Sequence, residues 1–170
     1  VRNVLLGYAA GDSLTDADYN VAVGYDSLAI DTLGSKAVAL GYAALSTQNF
    51  TSATDNFNTA VGFAAGSSVS TGINNTLIGG LAGDALTDAD SNVAIGYNSM
   101  SSSVLGSQSV AVGSGALFSM NPASAVNMLN TAVGYDAGNA ITTGTDNTIV
   151  GGLAGDASTT GAGNTFIGKE

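Results

Sequence analysis

The chain has 170 residues, a one-domain length, yet it carries 24 glycines, 1 proline, 45% apolar residues and only 9% charged residues, unlike an ordinary globular domain. Aromatics are 6% and tryptophan is absent, so any core must be thin and closely approached by backbone. The sequence has no His and no Cys, which excludes imidazole general bases, thiol nucleophiles, disulfides and thiolate or histidine metal sites, and its net charge of -10 makes nucleic acid a poor partner.

Taken in order, the predicted elements are copies of one short rib: Asn, then Val or Thr, then an apolar residue, then a branched aliphatic, then Gly. The copies begin at Asn3, Asn20, Ala37, Asn58, Asn75, Asn92, Ser109, Asn130, Asn147 and Asn164. The glycines that end them are 17 residues apart except for two intervals of 21, so a period of 72 is superimposed on the shorter one. Asn20, Val23 and Gly24 thus correspond to Asn92, Ile95 and Gly96, while Val61 and Gly62 correspond to Val133 and Gly134. Self-similarity over the whole chain, residues 1–170, predicts a single repetitive domain.

Seventeen residues suit one coil of a β-solenoid, with two short strands and two bends per coil. The expected fold is therefore all-β, a parallel β-solenoid of about ten coils stacked into a rod of roughly 50 Å. Alternation puts the Val/Thr site and the branched aliphatic on one face of the rib and the central residue on the other. Both faces are apolar, and one chain cannot cover both, so a parallel homotrimer is expected. The stacked asparagines predict a hydrogen-bonded ladder. Neither end reads as a cap, and the start at Val1 without methionine reads as a processed product or a segment of a longer chain.

No catalytic residues are predicted, and the chain is not expected to be an enzyme. The pairs Asp16 with Asp18 and Asp88 with Asp90 offer oxygen ligands to Ca2+, and they serve equally as solvated turn residues; paired-carboxylate glycan hydrolysis would need a cleft that nothing local predicts. No run supplies about 20 consecutive apolar residues for a bilayer span. Tyr8, Tyr25, Tyr42, Phe63, Tyr97 and Tyr135 each follow a rib glycine, so stacking should align them along one edge, where they either pack at a bend or hold sugar rings. The two four-residue expansions should bulge outward, making Phe50, Phe57, Phe118, Met120, Pro122 and Met128 candidate receptor contacts, with packing on neighbouring coils as the alternative.

The runs Asn20-Val-Ala-Val-Gly-Tyr25, Asn92-Val-Ala-Ile-Gly-Tyr97 and Asn130-Thr-Ala-Val-Gly-Tyr-Asp-Ala-Gly138 resemble the repeats of bacteriophage tail fibres. They are also similar to the β-roll heads of trimeric autotransporter adhesins. The resemblance implies a left-handed β-roll in a homotrimer, joined to adjoining fibre or virion proteins and contacting a host surface glycan or protein receptor. It places the chain extracellularly on a virion tail fibre or, alternatively, on a bacterial cell surface. An ice-binding solenoid, which needs ranks of Thr-x-Thr, and a polysaccharide-degrading fibre are the competing readings from other classes.

Overall fold

The computed structural model describes residues 2–169, which form short strands and turns with no helix among them. Each of the ten ribs is a strand: β1 (Val4–Leu6), β2 (Val21–Val23), β4 (Val38–Leu40), β6 (Thr59–Val61), β7 (Thr76–Ile78), β8 (Val93–Ile95), β10 (Val110–Val112), β12 (Thr131–Val133), β13 (Thr148–Val150) and β14 (Thr165–Ile167). They form one ten-stranded sheet in chain order. Every pairing is parallel and aligns the same rib positions, as in Ala22 with Ala39 and Ala111 with Ala132. The chain is thus a parallel β-solenoid of ten coils.

The expected second strand of each coil is not general. Among the described residues it exists only beside the expansions, where β3 (Gly34–Ser35) pairs β5 (Thr54–Asp55) and β9 (Gly106–Ser107) pairs β11 (Val126–Asn127). Elsewhere the coil closes through left-handed bends, which occupy the same places in successive coils. Twenty of the described non-glycine residues have positive φ, among them Asp26 and Leu28 after the rib glycine and Lys36 before the next rib. Each costs on the order of 1 kcal/mol. Their amides offset this by joining coils: Asp26 N–H donates to the Tyr8 carbonyl at 3.0 Å, Leu28 N–H to Ala44 at 3.0 Å and Lys36 N–H to Asp18 at 3.0 Å.

The rib glycine is required twice over. At Gly24 φ is +136°, and a β-carbon there would lie 2.4 Å from the carbonyl oxygen of Gly41 in the next coil. The same collision recurs from coil to coil, at Gly96 against Gly113 for example, so the glycines form a continuous spine of close backbone approach.

Inside the coil, volumes are exchanged between two positions. Where the rib centre is Ala22, Ala39, Ala94 or Ala111, the fourth residue past the glycine is Leu28, Leu45, Met100 or Leu117, and all eight are buried. Where the centre is large, as at Leu5, Leu77 or Ile149, that position is Gly11, Gly83 or Gly155. A β-carbon on Gly83 would lie 2.7 Å from Leu77 Cδ2 and 2.8 Å from Leu86 Cδ1. In the coils of Ala60 and Ala132, both positions are small, and neighbours fill the space: Leu77 and Leu45 crowd Gly66, and Ile149 and Leu117 crowd Gly138. Close packing therefore ties the bend residue to the size of the rib centre, and the pattern repeats every four coils.

Asparagines at the rib heads bind the stack together. Asn20 Nδ2 donates to the Gly34 carbonyl at 2.8 Å, and its Oδ1 accepts from Ala37 N–H at 2.8 Å. Asn58, Asn75, Asn92, Asn130 and Asn147 repeat the pattern. The predicted ladder is present, with amides bonded chiefly to backbone and buried so that each bond is costly to lose.

Candidate functional site

The rib centre points into the coil and is buried in all but the two end ribs, where Leu5 is exposed and Phe166 half-buried, whereas its two neighbours point outward, in the pattern of Val21 and Val23 around Ala22. The outward neighbours make a ten-rung face two residues wide, of Val or Thr beside Val, Ile or Leu. They are half-buried through the middle of the sheet and exposed at Val4, Leu6, Ile78, Val133, Val150 and Ile167. One row of this face is aliphatic along its whole length and the other is Val or Thr, with Thr148 and Thr165 also exposed, and no residue of either row is buried.

Both edges of the face carry aromatic rings over the first four coils. On one edge Tyr8, Tyr25, Tyr42 and Phe63 stack at centroid spacings of 5.1, 5.4 and 5.1 Å with planes within 14°. Stacking of this kind leaves the rings half in solvent: Tyr8 is 73% exposed and Tyr25 47%. The Asp26 charge, with burial and the neighbouring phenols second to it, holds the Tyr25 phenol above its ordinary value. Tyr135 is raised likewise, by a hydrogen bond to Asp136 and by that carboxylate's charge, so both phenols stay protonated at neutral pH. On the opposite edge, at the residue before each rib, the Arg2 guanidinium lies over Tyr19 at 5.3 Å and bonds its hydroxyl. Lys36 lies over Phe57 at 5.1 Å and pairs with Asp55 at 2.5 Å.

The expansions depart from expectation. Phe50, Met120, Pro122 and Met128 are buried, because the longer coils widen the interior and these side chains fill it. They are corrected from candidate receptor contacts to core. Phe57 remains exposed, at 53%, and Phe118 is half-buried. The two interiors differ in chemistry. In the first, buried Asp31 accepts from Gln48 Nε2 at 2.7 Å, Gly34 N–H at 3.0 Å and Phe50 N–H at 3.2 Å, and Asn58 Nδ2 donates to Gln48 Oε1 at 2.8 Å. In the second, the residues 72 positions on are Ser103 and Met120; Ser103 Oγ is buried with no hydrogen-bond partner among the described residues, and Asn130 Nδ2, which donates to the Gly144 carbonyl at 2.7 Å, meets the Met120 sulfur at 3.8 Å in place of an amide oxygen.

The aspartate pairs flank buried alanines, Ala17 and Ala89, and bond to the protein itself. Asp18 Oδ1 accepts from Arg2 N–H at 3.2 Å, Asp90 Oδ1 from Ile73 N–H at 2.7 Å, and Asp88 Oδ1 from the Ser70 and Thr71 hydroxyls at 2.7 and 2.8 Å. Those hydroxyls hold the Asp88 carboxyl below the usual carboxylate value. Asp16 is exposed. Among the described residues there is no group of three or more His, Cys, Asp or Glu side chains that could hold a metal ion, and no helix is long and apolar enough to cross a membrane.

Comparison of the chain with family models, with curated proteins and with solved structures found no match.

Proposed function

We propose that the chain is the structural and adhesive shaft of a phage tail fibre, in which three parallel copies of a left-handed β-roll form a rigid rod that attaches to a host surface. The observation that carries this reading is the outward face of the ten-stranded sheet: ten in-register rungs of Val, Thr, Ile and Leu, none of whose outward side chains is buried among the described residues. At about 25 cal/mol per Å2, covering such a strip with sister chains is a large stabilisation, and the small, regular rungs permit close approach. The aromatic edges lie beside this face, where a rod would repeat them around its axis. Attachment then works by reach and threefold avidity rather than by chemistry. A bacterial surface adhesin of the same architecture is the second reading, favoured by the same face.

Sedimentation equilibrium tests the assembly. The chain should have the mass of three subunits, and Ile95→Asp, which sets a charge in the middle of the outward face, should reduce it to one. A wild-type chain that is folded and solitary would sink the proposal. Labelled trimer that binds no bacterial surface would remove the adhesive half and leave the shaft.

A further inference from the structure

The aromatic edge that begins with four stacked rings is interrupted where the residue after the rib glycine is Gly80, Ser114, Gly152 or Lys169, and at Ser114 the interruption is a notch. The residue after the rib glycine is Tyr97 in one coil and Tyr135 two coils later, but Ser114 in the coil between them. The next position along the bend loses its side chain in the same coil, since Gly115 stands between Asn98 and Asp136. A β-carbon on Gly115 would lie 1.9 Å from Asp136 Oδ1, so the glycine makes the room into which that carboxylate is turned. The missing ring at Ser114 leaves a notch of about 270 Å3, walled by Tyr97 and Tyr135 and lined further by Asn98, Asp136, Asn139 and Phe118.

The molecule supplies its own comparison. Seventy-two residues earlier, the places of Ser114 and Gly115 are held by Tyr42 and Ala43, and Tyr42 stacks between Tyr25 and Phe63 at 5.4 and 5.1 Å. A six-membered ring therefore fits this rung when the chain provides one. At Ser114 the chain does not, and the two walls are two strand spacings apart, about 10 Å. That spacing admits one ring in contact with both walls, and a saturated ring would turn C–H groups to both phenols.

Polar groups are few and grouped. Asn139 Nδ2 is held by the Gly115 carbonyl at 3.2 Å and Asp136 Oδ1 at 3.1 Å. Asn98 Oδ1 is buried without a hydrogen-bond partner among the described residues. Apolar walls with a small set of orienting polar groups are the make-up of a small-ligand site. Asp136 lies in the notch, no Lys or Arg lines it among the described residues, and the chain carries a net charge of -10, so an anionic guest is disfavoured.

We propose that the notch at Ser114 binds one neutral hexopyranose unit of a glycan, sandwiched between Tyr97 and Tyr135 with its hydroxyls on Asp136 and Asn139. Its role in attachment rests on the fibre reading above; the binding itself is measurable on the 170-residue chain. Phe118, a half-buried member of the sequence-derived contact set, falls in this site.

Saturation-transfer difference NMR with the methyl pyranosides of glucose, galactose and mannose tests it. At least one should receive saturation at its ring C–H protons, and Ser114→Tyr, which restores the missing rung, should cut its affinity at least tenfold with the sedimentation mass unchanged. Tyr135→Leu is the second variant should the first not fold, and it should lose binding while keeping its circular dichroism. Transfer to none of the three sugars would overturn the proposal, as would undiminished binding by either folded variant. A change of mass in Ser114→Tyr would overturn it too, by assigning the notch to a sister chain. Loss of the sugar site with a trimeric wild type leaves the fibre reading intact, and sugar binding by a solitary chain does the reverse.

Discussion

At Gly96 two independent requirements meet in one residue: φ is +131°, and a β-carbon would lie 2.5 Å from the carbonyl carbon and oxygen of Gly113. The obstacle is backbone, which cannot swing aside as a side chain can. Gly96→Ala should therefore cost on the order of 3–5 kcal/mol, from backbone strain and overpacking together, read as a lowered midpoint in urea. A loss below about 1 kcal/mol would show that the spine spreads to admit a methyl group. This requirement was legible in the sequence, because a glycine that returns at the same point of every rib marks a place where backbone geometry admits no side chain. The left-handed bends were not. Leu28 and Lys36 adopt positive φ although nothing in their side chains favours it, and their amides donate to the Ala44 and Asp18 carbonyls of adjoining coils. The expected second strand is absent from these coils for this reason: Gly11 and Leu28 occupy the same left-handed bend, and they differ in how much of the coil interior they fill.

At the scale of the coil, the exchange of volume between rib centre and bend makes a quantitative claim. Leu77→Ala alone should cost about 2–5 kcal/mol through the cavity it opens, and Gly83→Leu alone about 1–3 kcal/mol through overpacking. Together they recreate the pairing found at Ala22 with Leu28. The double variant should thus recover at least about 1 kcal/mol relative to the sum, and strict additivity would show that the two positions do not share space. The expansions make a second claim. Asp31→Ala strands the Gln48 amide and the Gly34 and Phe50 N–H groups in a buried site, so it should cost about 3 kcal/mol or more. Its counterpart Ser103→Ala removes a buried hydroxyl that has no hydrogen-bond partner among the described residues and should change stability by less than about 1 kcal/mol. Equal losses at the two sites would contradict the hydrogen bonding of the two interiors. The expansions could be located from spacing alone, but whether their apolar side chains face in or out depends on interior width, which spacing does not report. Phe50 and Met120 point in because four extra residues enlarge the coil they enter.

For the whole molecule, the periodicity specified a great deal: ten ribs, parallel and in register, with the asparagine ladder and the aromatic edge in their predicted places. One cross-section repeats, so errors about a single bend do not propagate. What periodicity hid was its own exceptions. Ser114 and Gly115 look ordinary as letters in a string rich in both residue types, and they acquire meaning only when the stack sets them between Tyr97 and Tyr135. The signal that would have found them was a comparison of each column of the repeat down the chain, asking where a ring is missing.

The 72-residue block has a further consequence. Because its first and last coils present the same strand geometry, adding one more copy would lengthen the molecule by four rungs, about 19 Å, without altering its girth or any existing joint. On the proposed fibre and sugar-site readings, reach would be a matter of how many blocks a gene holds, and selectivity a matter of which rungs lack a ring. The two traits can be tuned by different kinds of genetic event, duplication for the one and point substitution for the other, with neither disturbing what the other has set.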